Sequence, residues 1–300
     1  MTGNGARGST MTRMILGLLL WAATTRSALA VEVVKPLKAA DYLVRNRYPF
    51  ELLDEVLKRT TPGWGPYVER PFTAPISVAR GHQEALKGEL LNVLVSDVGH
   101  AILEEGMIPV PFPIDKGLLG YRVALIDKRN QRKIAAVNNA EQLRSLRIGQ
   151  GSNWGDVRIY EHNRVPVETA TTYESLFPML LAGRFDLFPR GVTEVTLELA
   201  EYGPRFPDLA IDQHLLIRYP YAQCFYVSKS EPRLAARLEA GLTQMAKDGS
   251  FDALFDKYFA KPLRDLRLDR RVIIDLDNPF LPAWVPLDRR ELWFDVGTLR

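Results

Sequence analysis

Of the residues able to do chemistry, Arg190 has the most definite placement. It follows an apolar stretch, residues 185–189, that predicts a strand, and a guanidinium at that end would hold a carboxylate or phosphate through two parallel hydrogen bonds. Its plainer reading is an exposed surface arginine. Gly151, Ser152 and Asn153 follow a short predicted strand and open a helix predicted to start near Ser152. Free backbone N–H groups and the Ser152 hydroxyl would then face an anion, unless Ser152 does no more than cap the helix. Trp154, one step on, is either an apolar wall of that site or a core residue.

Ser96, Asp97 and His100 end a second apolar run, residues 90–96, and are candidates for the opposite wall. Tyr121 and Tyr221 stand where the chain passes between two groups of elements, either as the floor or side of a cleft or as hinge packing. If the strand beginning at Tyr121 is regular, Arg122 points to the opposite face.

Evidence for catalysis is thin. The four histidines, at 82, 100, 162 and 214, lack metal-ligand spacing, and neither a Gly-x-Ser-x-Gly elbow nor a phosphate-cradling glycine loop occurs. Glu104 and Glu105 are adjacent, so on a helix they diverge by about 100 degrees and suit a solvated face better than an acid/base pair. Cys224 is the single cysteine, lies in an apolar run beside Phe225, and reads as a small buried thiol; no intramolecular disulfide is possible. We expect no catalytic residue, no metal and no cofactor.

Residues 1–30 predict an export signal. Arg13 precedes an apolar stretch of about ten residues, and Ala28-Leu29-Ala30 suits a signal peptidase cutting after Ala30. The stretch is short of the roughly 20 apolar residues of a membrane span, so no stable membrane insertion is expected after cleavage. Translation from Met11 would give a complete signal as well. Of the 39 basic residues, Arg7, Arg13 and Arg26 fall in this segment, which has no acidic residue, so the remainder carries 36 charges of each sign. That balance gives no electrostatic case for nucleic acid or an anionic membrane as partner.

The elements that must position these residues alternate. Strands are expected at 31–34, 90–96, 121–127, 147–149, 165–169, 185–189, 209–216 and 223–227, with helices between them and two long helices, 232–247 and 251–259, at the end. Such alternation implies parallel sheets and an α/β fold. The cluster Thr61-Pro62-Gly63-Trp64-Gly65-Pro66 should end the first helix, and from Pro262 onward no periodicity survives. A tail with Trp284 and Trp293 is too aromatic to float free and should wrap across one lobe.

Three segments resemble the bacterial extracellular solute-binding proteins of the polar amino-acid type. They are Pro113-Ile114-Asp115-Lys116-Gly117-Leu118-Leu119-Gly120-Tyr121-Arg122-Val123; Leu146-Arg147-Ile148-Gly149 through Tyr173-Glu174-Ser175-Leu176 to Leu181-Ala182-Gly183-Arg184-Phe185-Asp186; and Met245-Ala246-Lys247-Asp248-Gly249-Ser250-Phe251 with Tyr258-Phe259. Their order and separation match that family's layout across roughly residues 33–260.

The resemblance implies a two-lobed type II periplasmic-binding fold, each lobe a mostly parallel sheet flanked by helices, joined by two crossing strands. Lobe 1 would be residues 31–119 plus 222–262, lobe 2 residues 120–221, and residues 263–300 an extension packed on a lobe. It also implies a monomer that captures a small polar molecule between the lobes and presents it to a membrane permease or sensor; Arg190 and the Gly151-Ser152-Asn153 segment point to an anionic one. The chain departs from the family where Pro189-Arg190-Gly191 replaces an aspartate that holds a ligand ammonium, and where Ser96-Asp97-Val98-Gly99-His100 lacks a carboxylate-gripping arginine. Both departures count against an α-amino acid ligand. They leave open a docking module on the same fold and a small-molecule lyase.

Overall fold

The structure is a computed structural model that describes residues 1–3, 31–39 and 47–299. The expected export signal falls almost wholly outside the described residues. No helix among the described residues is long and apolar enough to cross a membrane.

The first sheet is built from β1 (Glu32–Val34), β2 (Tyr67–Glu69), β3 (Val93–Asp97), β4 (Met107–Pro109) and β11 (Gln223–Ser228). β1 and β2 run parallel, a parallel bridge from Pro36 to Val93 joins them to β3, and β11 lies antiparallel between β3 and β4. Helices α1 (Arg47–Trp64), α2 (Val78–Lys87), α3 (Ala101–Gly106), α9 (Pro232–Lys247) and α10 (Ser250–Asp265) accompany it.

Leu52, Leu53, Val56 and Leu57 put the apolar stripe of α1 into the core. Gly241 of α9 lets the two helices touch, since a Cβ there would stand 2.7 Å from Val56 Cγ1. Arg237, fully buried on α9, ties them to β1 through Glu32 Oε2 (2.9 Å), Thr60 Oγ1 (2.8 Å) and the Leu57 carbonyl (2.9 Å). The turn-former cluster ends α1 as expected, though from within: the helix runs on through Pro62 to Trp64, and Gly65 at φ 85° closes it.

The second sheet contains β5 (Tyr121–Asp127), β6 (Ile148–Gly151), β7 (Val167–Ala170), β8 (Phe188–Gly191), β9 (Leu209–Ile211), β10 (Leu215–Arg218) and β12 (Val272–Asp275). β7 pairs with β6, and a bridge from Ile148 to Leu187 brings in β8. The fully buried β5 lies antiparallel to β8 on one edge and to β9 and β10, end to end, on the other. Its helices are α4 (Gln131–Ile134), α5 (Ala140–Leu143), α6 (Asp156–His162), α7 (Tyr173–Leu181) and α8 (Val195–Tyr202), the last three of which bear on the site. The architecture is the expected α/β arrangement. β5 and β11, the strands that follow the two passages between sheets, run against their neighbours because each enters its new sheet from the other one.

The two passages touch at the backbone. A Cβ on Gly120 would sit 1.9 Å from the Tyr219 carbonyl oxygen, and the buried carboxylate of Asp115 accepts N–H bonds from Gly117 and Leu119 on one passage and Gln223 on the other.

The C-terminal tail corrects an expectation. It engages both sheets and the passages between them, not one lobe. β12 extends the second sheet, Asn278 bonds the Pro220 carbonyl, Trp284 reaches Glu104 on α3, and the Phe294 amide bonds the Lys116 carbonyl. Its aromatic residues find partners on both sides, which a single lobe does not supply.

Candidate functional site

The groups singled out from the sequence converge where β3, β6, β8 and the second passage meet, but several occupy different roles. Arg190 lies within β8 and is 8% exposed. Its guanidinium is not open to a ligand. It forms a two-pronged pair with Glu198 at 2.7–3.0 Å, approaches Glu194 at 3.2 Å, and lies 4.6 Å from the Trp154 ring centroid. Burial alone would depress its pKa, but Glu194 and Glu198 outweigh burial and hold it above the ordinary arginine value. Trp154 in turn stacks on Phe188 at 6.2 Å and 16°.

A second buried pair stands beside the first. Arg122 bonds Asp156 at 2.7 Å and the Tyr219 hydroxyl at 3.0 Å, and that hydroxyl donates to Asp156. Alternation along β5 does send Tyr121 and Arg122 to opposite faces, but it is Arg122 that joins the polar cluster. Tyr121 instead donates its hydroxyl to the Phe294 carbonyl at 2.5 Å, toward the tail.

The expected anion cradle at Gly151-Ser152-Asn153 is also corrected. α6 begins at Asp156, after a turn closed by the Trp154 amide on the Gly151 carbonyl, so Ser152 and Asn153 are exposed turn residues without a helix N-terminus behind them. The bulky Trp154 and the Gly155 that follows it delay the helix by about a turn.

From the first lobe, Asp97 at the end of β3 is half-buried. Its carboxylate accepts the Tyr221 hydroxyl on one oxygen and Ser96 Oγ (3.2 Å) on the other, and no cationic side chain among the described residues bonds it. Burial and Asp97 together raise the Tyr221 pKa, keeping that hydroxyl a donor. Gly155, from the second lobe, faces this pair. A Cβ there would lie 2.5 Å from the Tyr221 oxygen and 3.7 Å from Asp97 Oδ2. The lobes meet again where Arg158 bonds the Gly99 carbonyl at 3.2 Å. His100 is exposed, its ring packed edge-on to His82 at 4.6 Å.

This junction between the lobes therefore sets Asp97 and Tyr221 opposite Gly155, with Trp154 and Arg190 beyond. Its two arginines are neutralised by Asp156, Glu194 and Glu198, and these partners went unrecognised in the sequence. Glu194 and Glu198 reach Arg190 because the chain turns from β8 straight into α8, so closeness in sequence is their only local signal; Asp156 and Tyr219 have none.

No family model matches the chain, and no curated protein does. Solved structures do. A periplasmic His/Glu/Gln/Arg/opine family-binding protein from Silicibacter pomeroyi, in complex with lysine, superposes with a TM-score of 0.51 at 11% identity, covering 76% of this chain and 97% of that one. The second substrate-binding domain of a putative amino acid ABC transporter from Streptococcus pneumoniae gives 0.49 at 12%, covering 76% and 99%. The substrate-binding protein of another amino acid ABC transporter gives 0.48 at 13%, also covering 76% and 99%. The chain has the two-lobed type II periplasmic-binding fold.

Proposed function

We propose that the protein is an exported solute-binding protein that captures a small polar molecule between its lobes and presents it to a membrane permease or sensor. The observation that carries this reading is the Asp97 carboxylate, held by Tyr221 and Ser96 at the mouth of the second-lobe turn and bonded to no cation among the described residues. An acceptor so placed suits a ligand that brings its own positive charge, such as an ammonium group.

The expected preference for an anion is withdrawn. Both arginines that would supply it already hold carboxylates, and the cluster of Arg122, Arg190, Asp97, Asp156, Glu194 and Glu198 carries more negative than positive groups. Of the lysine bound by the Silicibacter pomeroyi protein, it is the ammonium group that the Asp97 acceptor would suit; the missing carboxylate-gripping arginine still counts against an α-amino acid, so simple amines are tested beside cationic amino acids.

The Gly155 turn already stands against Tyr221 and Asp97, so the lobes would part to admit a solute, and a ligand stabilises the closed form only through contacts made there. A binder is favoured over a lyase because the acidic groups of the cluster are each engaged by a hydroxyl or guanidinium partner. A docking module on the same fold is the second reading, favoured by the chain's own residues filling the space between the lobes, as Trp154 and Glu198 do around Arg190 and Gly155 does against Tyr221; the tail itself runs along the passages and past Gly99, where Arg158 lies over the Phe280 ring at 4.7 Å.

The test is a thermal-shift series with simple amines, lysine, arginine, glutamate, succinate and glucose, since a ligand that binds only the native state raises its melting point. We expect a saturable shift with a simple amine or a cationic amino acid that Asp97→Asn removes. A shift with succinate alone, surviving in Asp97→Asn, refutes the cationic assignment.

A further inference from the structure

The C-terminal tail creates a second pocket, away from the cleft. It has a volume of about 470 Å³ and lies between the tail and the outer side of the passages, with Tyr121 and Trp293 among its walls, Leu287 at its rim, and Arg218, Asp275 and Asp277 as its charged groups. That volume falls within the roughly 300–1,000 Å³ of small-molecule sites, which are apolar with a few placed polar groups. We propose that this pocket binds a small organic cation with an apolar or aromatic body. The proposal is independent of the cleft reading.

The walls are fixed before any ligand arrives. The Trp293 indole N–H is spent on the Pro286 carbonyl at 2.9 Å, and the Tyr121 hydroxyl on the Phe294 carbonyl at 2.5 Å. With both polar handles satisfied inside the protein, and Arg218 already over the Tyr121 ring at 6.0 Å, it is Trp293 that offers an occupant carbon surface and π-density, the surroundings that favour a cation or an aromatic group. Gly117 holds Trp293 close: at φ 73° it has no Cβ, which would otherwise stand 2.4 Å from the indole ring.

The charged groups select the sign. Arg218 is taken up by Asp275, with Nε to Oδ1 at 2.5 Å and Nη2 to Oδ2 at 2.9 Å. Asp277 is bound through its backbone to Asn163, by Asn163 Oδ1 on its amide and Asn163 Nδ2 on its carbonyl, and no partner holds its carboxylate among the described residues. The three groups sum to one net negative charge, with Asp277 as the free member. An ammonium can pair there while its apolar body lies against Trp293 and Leu287; a carboxylate would meet two aspartates and an arginine already engaged.

Location gives the site a consequence. Its walls include Gly117, Tyr219 and Pro220 of the two passages, so an occupant rests on the segments that must flex when the lobes move.

The purified protein, labelled for two-dimensional ¹H–¹⁵N spectra, is titrated with benzylamine as probe and with benzoate and benzyl alcohol as controls. The expected result is a saturable shift of the Trp293 indole and Gly117 amide resonances with benzylamine, weakened about fivefold in Asp277→Asn and, read on the Gly117 amide, to a similar degree in Trp293→Leu. It should be unchanged in Asp97→Asn, with melting points recorded to establish folding. Asp277 is a surface group, so its variant keeps the test valid even where Trp293→Leu folds poorly. The proposal is overturned by any of three outcomes: no saturable shift with benzylamine, binding of benzoate as tight as that of benzylamine, or benzylamine binding lost in Asp97→Asn but kept in Asp277→Asn.

Discussion

Trp284, in the tail, donates its indole N–H to Oε2 of Glu104 on α3 at 2.8 Å, while Oε1 of the same carboxylate accepts the Tyr226 hydroxyl at 2.6 Å and the Gly99 amide at 3.0 Å. One glutamate thus joins the tail, β11 and the end of β3 in the first lobe. Trp284→Phe keeps most of the ring and removes a single bond to a charged acceptor. It should lower stability by about 1.5 kcal/mol, seen as a lower urea midpoint at unchanged slope. A midpoint equal to that of the parent protein would show that Trp284 anchors nothing.

Arg190 separates a ligand-gripping arginine from a buried paired one. Arg190→Met strands Glu198, which is 9% exposed, without a cation and should cost about 3–5 kcal/mol of stability. Adding Glu198→Leu removes the stranded charge, and the double variant should regain a large part of that loss. Had the guanidinium been open to ligand, the single variant would keep its stability and lose only binding. Denaturant titration of the parent, single and double variants measures the difference.

The contact between passages is a matter of backbone clearance. Gly120→Ala places a methyl group 1.9 Å from the Tyr219 carbonyl oxygen, a distance the backbone must open to relieve. Overpacking of this kind costs about 1–3 kcal/mol. Because the two passages touch here, we also expect the substitution to spread them and shift the radius of gyration measured by small-angle scattering. A variant that melts with the parent and scatters identically would show that the passages have slack at this point.

Much of the fold was legible because its signals are local. The bounds of α9 follow from Pro232 at its start and the Asp248-Gly249 break at its end, where Gly249 adopts φ 78°. β5 and β11 stood out as apolar runs. The start of α6 was misplaced because Trp154 and Gly155 form a turn where the sequence suggests a cap, and β12 was missed although Val272-Ile273-Ile274 is a β-branched run, since a strand of four residues needs its neighbour β10 to define it. At the site, Asp97 and Tyr221 were recognised as separate candidates. Their bond, across 124 positions of sequence, depends on the register of β3 against β11, which no local pattern specifies.

Asp115, bonded to both passages, gives their contact a pH dependence whose sign is fixed by burial. The carboxyl is pushed up to about 6, first by loss of solvent and against the opposing pull of the Gln223, Leu119 and Gly117 amides. In the unfolded chain it titrates near 3.8. Between these values the native state binds the proton more tightly, so this group adds stability as pH falls through 6 and takes it away as pH rises back through that value. His82 works in the other direction, since burial and then His100 lower its pKa, so the whole-protein profile mixes the two. Comparison with Asp115→Asn isolates the carboxyl: the advantage of the parent over the variant should be larger at pH 5 than at pH 7.5 by roughly 1 kcal/mol. Paired denaturation curves at the two pH values supply the measurement, and an advantage that shrinks toward pH 5 would mean that the three amide donors, not desolvation, control this carboxylate.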